Sequence, residues 1–218
     1  MKIYMINHYL NSAGSGEDRL RQLGQGLVER GHEVTLITGV SGSDFELEKK
    51  KIGLYRDNGL TMMLLNVPYH GRMKSWQKLL VYVRFGRMVE EQVKNLPGPD
   101  LILAVTPPLN TIMPILKLKK DKQVPIVVDV RELWPDAPVQ RGALKNRFLI
   151  NKARQMEEKA YREADRIIAG GSGIAAAVKE NLAEKDKVYT IPDGLEQREL
   201  VTSYNAVFKD LIEGLKDS

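Results

Sequence analysis

Apolar runs alternate with amphipathic segments along most of the chain, and this alternation predicts an α/β fold. Residues 2–7 are an apolar run that predicts a first strand, and residues 17–30 carry leucines at helical spacing. Gly31 is suited to end that helix, and residues 33–38 predict a second strand rich in β-branched side chains. A strand, a helix and a strand in this order form a βαβ unit, which is right-handed and builds a parallel sheet.

The pattern continues to residue 195 and predicts about seven strands and six helices in all. The further strands are expected at 60–67, 100–105, 125–130, 166–169 and 187–191, and the further helices at 76–96, 110–120, 144–164 and 174–183. The stretch 39–59 is polar and dotted with glycines, and its charge run at 46–51 predicts a solvated face. We therefore expect a doubly wound, Rossmann-like, mostly parallel sheet with helices on both faces.

The C-terminal residues 203–217 have a different pattern, because their apolar side chains recur at the spacing of one helical face. These side chains are Tyr204, Val207, Phe208, Leu211, Ile212 and Leu215. Such a helix must bury its apolar face. We predict a Rossmann-like domain over 1–195, and over 196–218 a linker and an amphipathic helix that packs back on that domain.

The segment 125–138 joins a fully apolar strand to charged side chains of both signs. Asp129, Arg131 and Glu132 come at the end of the strand, with Trp134 beside them and prolines that we expect to prevent a helix from starting. The carboxyl ends of parallel strands line the ligand crevice of an open sheet, so these residues suit a polar, hydroxyl-rich ligand. The alternative is a salt-bridged loop in which Trp134 fills the core.

The small-residue loop that contains Gly14, Ser15 and Gly16 opens the first helix and could present backbone N–H groups to a phosphate. A dinucleotide fingerprint is disfavoured, because Arg19 stands where a third glycine is needed and no acidic residue follows the second strand. The alternative is a plain tight turn. A second glycine turn contains Ser172, which could contact a ligand or simply cap its helix.

Residues 72–87 hold five basic side chains interleaved with aromatic ones, and no acidic residue. The candidate contacts are Arg72, Lys74, Trp76, Lys78, Arg84 and Arg87. This composition is typical of a helix on an anionic membrane or against a lipid-linked anionic acceptor. The alternative is an ordinary amphipathic helix with snorkelling basic side chains. Nucleic acid is not expected as a partner, because the aromatics belong to a helical face and not to a stacking sheet.

Composition narrows the remaining classes of function. The chain lacks cysteine, which excludes disulfides and thiolate metal sites, and its three histidines are too scattered to predict a metal site. There is no signal-peptide pattern and no apolar run of transmembrane length. No Gly-x-Ser-x-Gly or His-Glu-x-x-His motif is present, so a hydrolase is not expected.

Taken in order, these pieces resemble the N-terminal, acceptor-side domain of the retaining GT-B glycosyltransferases of family 4. The resemblance covers residues 1–195 and rests on the first strand and glycine loop, on 29–35 (Glu-Arg-Gly-His-Glu-Val-Thr), on 129–135, on 157–168, on Ser172 and on 188–195. The segment 129–135, Asp-Val-Arg-Glu-Leu-Trp-Pro, is similar to members that build bacterial surface polysaccharides.

This resemblance implies one half of a GT-B fold, in which the N-terminal domain binds the acceptor and a second domain binds a nucleotide-sugar. It places Gly14, Ser15 and Gly16 near the donor diphosphate and makes Asp129, Arg131 and Glu132 the catalytic candidates, with Arg131 where many relatives have histidine. His8, Asn110, Trp134 and Ser172 are acceptor or second-site candidates. No cofactor is expected, since a UDP- or GDP-sugar would be a substrate bound only with the donor domain.

Nothing after residue 195 resembles that donor domain, so the chain is expected to be an acceptor-side half that is inactive alone. Its expected partners are the donor domain, in cis or in trans, and a glycan or lipid-linked acceptor. The expected location is cytoplasmic, at the inner face of the membrane. Two alternatives remain: a membrane-docking or partner-binding module that works with a separate donor subunit, and a nucleotide-dependent Rossmann enzyme.

Overall fold

The computed structural model describes residues 1–8, 15–40, 47, 50–68, 73, 75–107, 112–142, 144–180 and 182–216. The predicted site residues Gly14, Arg72, Lys74 and Asn110 lie outside these ranges. None of the helices within them is long and apolar enough to cross a membrane.

Eight strands and seven α-helices make up the described part of the chain. The strands are β1 (Lys2–Asn7), β2 (Glu33–Val40), β3 (Ile52–Asp57), β4 (Leu60–Asn66), β5 (Leu101–Thr106), β6 (Ile126–Val130), β7 (Arg166–Ala169) and β8 (Val188–Thr190). The helices are α1 (Ser15–Glu29), α2 (Ser75–Asn95), α3 (Ile112–Lys122), α4 (Asp136–Gln140), α5 (Arg147–Glu163), α6 (Ser172–Glu180) and α7 (Gln197–Lys216), with a 3-10 turn at Lys185–Lys187.

The strands form one sheet in the order β3-β4-β2-β1-β5-β6-β7-β8, and every neighbouring pair is parallel except β3 with β4. Helices α2, α3, α5 and α6 contribute to the core on one face of this sheet. Helices α1 and α7 contribute to the core on the other face. The predicted doubly wound, mostly parallel sheet with helices on both faces is therefore confirmed.

No strand was predicted between residues 39 and 59, but the second half of this stretch forms the edge strand β3. β3 pairs with β4 through the two-residue turn Asn58-Gly59, whose φ angles are 47° and 83°. These positive angles are those of the hairpin turn that Asn-Gly sequences favour. β3 carries exposed and half-buried side chains, so it lacks the apolar run by which the buried strands were recognised.

The prediction that prolines prevent a helix after β6 is wrong, because α4 begins directly after Pro135 and contains Pro138. The first turn of a helix has backbone N–H groups without an intrahelical acceptor, so a proline there loses no hydrogen bond. Helix α5 begins at Arg147 and not at residue 144, since the Asn146 side chain accepts a hydrogen bond from the Leu149 N–H and caps it there. Leu149 is 48% exposed.

The strand order reverses between β1 and β5, which places a topological switch point at the centre of the sheet. Crevices outside the carboxyl ends of strands at such a point are the usual ligand sites of open α/β sheets. β6 is the strand next to β5, so its carboxyl end with Asp129 lies at this crevice.

Candidate functional site

Asp129 is held at the end of β6 by hydrogen bonds to both of its carboxylate oxygens. Its side chain is 1% exposed, and Oδ1 accepts from Arg131 Nε at 2.6 Å. Oδ2 accepts from the Tyr204 hydroxyl of α7 at 2.5 Å. A buried carboxylate is tolerated when it is paired and hydrogen-bonded in this way.

Tyr204 is fully buried and is the centre of a hydrogen-bonded cluster. Besides donating to Asp129, its hydroxyl oxygen accepts from Arg131 Nη2 at 2.5 Å and from Arg19 Nη2 at 3.0 Å. Burial, and then the charge of Asp129, raise the pKa of Tyr204 well above its ordinary value. The phenol therefore stays neutral and keeps the proton that it donates to Asp129.

Asp193, just after β8, completes this cluster from the solvent side. Its Oδ1 accepts from Arg131 Nη1 at 2.9 Å and from Arg19 Nη1 at 3.1 Å. We call Arg19, Asp129, Arg131, Asp193 and Tyr204 the tyrosine cluster. Burial acts to lower the pKa of Arg131, but the interactions with Asp129, Tyr204 and Asp193 together outweigh it, and the pKa is raised. The cluster thus holds two arginine cations and two carboxylates around one neutral phenol.

The structure brings two of the three catalytic candidates together and leaves the third apart. Asp129 and Arg131 share the tyrosine cluster, in which the Arg131 side chain is 17% exposed. Glu132 instead accepts two hydrogen bonds from Arg141, at 2.6 and 3.1 Å, near the surface. The hydrogen bond and the charge of Glu132 raise the pKa of Arg141.

Trp134, the next candidate, is half-buried against the core on the α2 side of the sheet. Its backbone N–H hydrogen-bonds to the carboxylate of Glu157 on α5, which also accepts from the Tyr161 hydroxyl at 2.9 Å. Burial raises the pKa of Glu157 to about 7. Sequence reasoning placed Glu157 only in a segment of the resemblance and missed its contact with the loop after β6.

His8 follows β1 at the switch point and is 6% exposed. Its ring packs edge-on against Tyr82 at 4.5 Å and Phe85 at 5.2 Å between ring centres. Burial lowers the pKa of His8 to about 4, so the ring is neutral near pH 7. Its carbonyl oxygen would lie 2.3 Å from a Cβ at Gly39, which explains the glycine at that position. Tyr82 and Phe85 of α2 therefore point at least partly inward, while Arg84 and Arg87 are exposed.

The other predicted site residues fall at helix ends or outside the described side chains. Ser15 and Gly16 form the first turn of α1, and Ser172 is the exposed first residue of α6. The side chains of Ser15, Trp76 and Lys78 are not among those described. Within the described ranges no three His, Cys, Asp or Glu side chains are grouped so that they could hold a metal ion.

Three members of the tyrosine cluster, Arg19, Asp193 and Tyr204, were not predicted as site residues. Arg19 was noted only because it departs from a glycine motif, and Asp193 only as part of a turn. The inward position of Tyr204 on the last helix was predictable, but its polar partners were not. Their separations, 185 residues from Tyr204 to Arg19 and 75 to Asp129, leave no local pattern in the sequence.

Comparison with solved structures finds proteins of similar fold. A form of sucrose-phosphate synthase from Thermosynechococcus elongatus, designated by the residue numbers 27, 220, 406 and 426, has a TM-score of 0.68 at 12% identity and covers 97% of this chain and 99% of its own. Another structure of that synthase has a TM-score of 0.64 at 14% identity, and the match covers 89% of this chain and 48% of the synthase chain. UGT89C1 of Arabidopsis thaliana complexed with UDP has a TM-score of 0.54 at 14% identity, and the match covers 94% of this chain and 57% of the UGT89C1 chain.

The chain therefore spans about half the length of the last two structures. No curated protein matches it significantly. Residues 14–194 match the Glycosyl transferase 4-like domain, and this match includes four of the five residues of the tyrosine cluster. The fold agrees with it, since the similar structures share one half of a GT-B architecture. The chain belongs to the glycosyl transferase 4-like domain family.

Proposed function

We propose that the chain is the acceptor-side half of a retaining glycosyltransferase that moves a sugar from a nucleotide-sugar to a glycan or lipid-linked acceptor in bacterial surface polysaccharide synthesis. The observation that carries the proposal is Arg131, fixed at the carboxyl end of β6 within a family match that spans 14–194. The similar structures with UDP or with UDP and glucose support a nucleotide-sugar as donor.

In this proposal Arg131 acts by electrostatics. A retaining transfer develops positive charge at the sugar and negative charge on the departing diphosphate, and preorganised charges in a dry site stabilise both. Asp129 and Tyr204 hold the Nε and Nη2 groups of Arg131, and Asp193 holds Nη1, so little reorganisation is needed when the charge develops. The first turn of α1, with Ser15 and Gly16, adds its helix dipole toward the same phosphates.

Glu132 and Trp134 follow Arg131 on the same loop, and in this proposal they contact acceptor hydroxyls. The partly exposed carboxylate of Glu132 can accept a hydrogen bond, and the half-buried ring of Trp134 can pack on a sugar face. His8, neutral at the switch point, lines the inner end of the crevice. No cofactor takes part.

A donor domain is needed as the second wall of the cleft, so the chain alone is inactive. The donor domain is supplied either in cis or in trans. If it is a separate subunit, this chain is a partner-binding module. α7 corresponds to the helix that returns to the N-terminal domain in GT-B enzymes. One similar structure supports this assignment, because the match covers 97% of this chain and therefore includes most of α7.

Calorimetric titration of the purified chain with UDP, GDP, several UDP-sugars and NAD tests the assignment. Weak or absent binding of every nucleotide is expected, because in this proposal residues 1–218 supply only the acceptor wall of the cleft. Micromolar binding of a UDP-sugar would show that this half itself carries a donor site. Tight binding of NAD would overturn the transferase proposal in favour of a Rossmann enzyme.

We also infer that α2 docks on the inner face of the cytoplasmic membrane. Its solvent side carries the stripe Leu80, Val83, Arg84 and Arg87, in which Leu80 is 58% and Val83 40% exposed. These residues follow the i, i+3, i+4, i+7 spacing of one helix face. Apolar and basic side chains on one face suit an anionic bilayer.

Charge reversal tests the role of α2. The variant with Arg84→Glu and Arg87→Glu should lose its sedimentation with vesicles that contain phosphatidylglycerol. The matched control, Arg198→Glu with Lys209→Glu, changes two exposed basic residues of α7 on the other face of the sheet and should sediment as the wild type does. Equal loss in both variants, or in neither, would contradict docking through α2.

A further inference from the structure

The N-terminal end of α5 exposes two neighbouring large apolar side chains. Phe148 is 75% exposed and Leu149 is 48% exposed, and the flanking Arg147 and Lys152 are exposed as well. This end is ordered, because the Asn146 side chain accepts a hydrogen bond from the Leu149 N–H at 3.2 Å. A helix end that presents two neighbouring large apolar side chains to water, flanked by exposed basic residues, indicates a partner.

The charge around this end indicates the kind of partner. Residues 137–156 contain five basic residues and no acidic one, as do residues 72–87 around α2. The rest of the chain has 23 basic and 28 acidic residues, so the excess positive charge lies in these two segments. Arg141 and Arg154 pair with Glu132 and Asp136, whereas Lys145, Arg147 and Lys152 make no ion pair within the described part of the chain.

The fold brings the two positively charged segments to the same side of the molecule. α2 and α5 bury their inner faces in the same core, through Phe85 and Tyr161, and α3 packs between them. α2 comes after β4, and α5 comes after β6 and the short helix α4, so both begin at the carboxyl edge of the sheet. The first halves of α2 and α5 are therefore two points of one surface beside the crevice.

We propose that residues 146–152, the N-terminal end of α5, form a second docking element that inserts Phe148 and Leu149 into an anionic lipid bilayer. This proposal rests on the membrane docking proposed for α2. Basic residues beside a protruding apolar pair are typical of interfacial anchors, in which apolar side chains enter the headgroup boundary and cations meet anionic headgroups. Two contacts on one surface, α2 and α5, would fix the orientation of the domain and place the crevice beside the bilayer, within reach of a lipid-linked acceptor.

Sedimentation with vesicles tests this element in the full chain. Vesicles of equal parts phosphatidylglycerol and phosphatidylcholine are compared with pure phosphatidylcholine. Phe148→Ser with Leu149→Ser, and separately Arg147→Glu with Lys152→Glu, should each lower the partition coefficient roughly tenfold. The control Leu54→Ser removes an apolar side chain that is 67% exposed on the edge strand β3, and it should bind as the wild type does.

A depth measurement gives a second readout. Phe148→Trp should gain quenching by brominated phosphatidylglycerol over the wild-type chain, while Leu54→Trp should not. All of these positions are exposed, so the variants should keep the wild-type melting temperature.

Several outcomes would overturn the inference. If both α5 double variants bind as the wild type does while the α2 charge reversal abolishes binding, the α5 element is wrong and the α2 contact stands. If the wild type does not bind anionic vesicles, both membrane proposals fail, while the nucleotide titration still decides the transferase proposal. Equal binding to pure phosphatidylcholine would exclude charge recognition. If Phe148→Ser with Leu149→Ser instead dissociates a dimer in sedimentation velocity, the surface contacts a second copy of the chain.

Discussion

The hydroxyl of Tyr204 donates a hydrogen bond to Asp129 Oδ2 at 2.5 Å, which ties the last helix, α7, to the carboxyl end of the central strand β6. The same oxygen accepts from Arg131 and Arg19. The position of α7 and the orientation of Arg131 therefore depend on one phenol. A change in the position of α7 should therefore change the orientation of Arg131 at the crevice.

Tyr204→Phe should destabilise the fold by about 1–3 kcal/mol, because it removes one donor from the buried Asp129 and one acceptor from two arginines. Urea denaturation followed by circular dichroism measures the change. The matched control is Tyr189→Phe, whose hydroxyl donates to the exposed Asp210, and its cost should be much smaller. Equal costs for the two variants would mean that the buried hydroxyl of Tyr204 adds no more stability than the exposed hydrogen bond of Tyr189, which would contradict the prediction.

Close packing of α1 on α7 should make Gly26 sensitive to substitution. A Cβ at Gly26 would lie 2.4 Å from Val201 Cγ2, so Gly26→Ala should cost about 1–3 kcal/mol through overpacking. Val201→Ala should restore part of that loss in the double variant, and a double-mutant cycle in urea measures the coupling. Gly173→Ala in α6 is the control, since its Cβ meets no atom within 4 Å. The absence of coupling between positions 26 and 201 would contradict this contact.

The buried strands were predictable from the sequence because their environment is uniform. The apolar residues of β6 could belong only to a strand covered on both faces, and the charges after it marked the crevice edge. β3 was missed because an edge strand with exposed side chains resembles a polar loop in composition. Its Asn58-Gly59 turn was the local pattern that could have identified it.

The candidate site was predictable only in part. Asp129 and Arg131 could be assigned because they follow one strand, so their proximity is fixed locally. Their partners Arg19, Asp193 and Tyr204 reach them from α1, the turn after β8 and α7. Such convergence depends on how whole elements pack. The hydrophobic pattern gives the inward face of each helix but not which polar side chains meet.

Stability should fall with decreasing pH through His8. Burial lowers the pKa of His8 from 6.5 to about 4, so the unfolded chain binds more protons than the native protein between these values. His8 thus favours the fold above pH 6.5, and this contribution is lost as the pH falls toward 4. In His8→Phe, which keeps a ring against Tyr82 and Phe85, the loss between pH 6.5 and 4 should be smaller than in the wild type. Urea midpoints of the two proteins, measured between pH 4 and 6.5, test this prediction. If the two midpoints change with pH in parallel, the prediction is contradicted.

Glu157 should have the opposite effect in an overlapping range. Burial raises its pKa from 4.5 to about 7, so the native protein binds more protons than the unfolded chain between these values. Its contribution is most favourable below pH 4.5 and is lost as the pH rises through 7. Tyr161 and the backbone of Trp134 donate to this carboxyl, while the charges of Asp136 and Arg154 act on it with opposite sign.

Glu157→Gln keeps an oxygen that can accept from Trp134 and Tyr161 but does not ionise. The stability of this variant relative to the wild type should therefore increase as the pH rises from 4.5 to 7, and urea denaturation at several pH values measures it. The fluorescence of Trp134 should change as Glu157 ionises, because the backbone N–H of Trp134 donates a hydrogen bond to the Glu157 carboxyl. In a Trp76→Phe background, a fluorescence change with a midpoint near pH 7 should be present while Glu157 is retained and absent once Glu157→Gln is added. A difference in stability that stays constant with pH would show that Glu157 ionises normally in the fold, and the loop after β6 would then not respond to its charge.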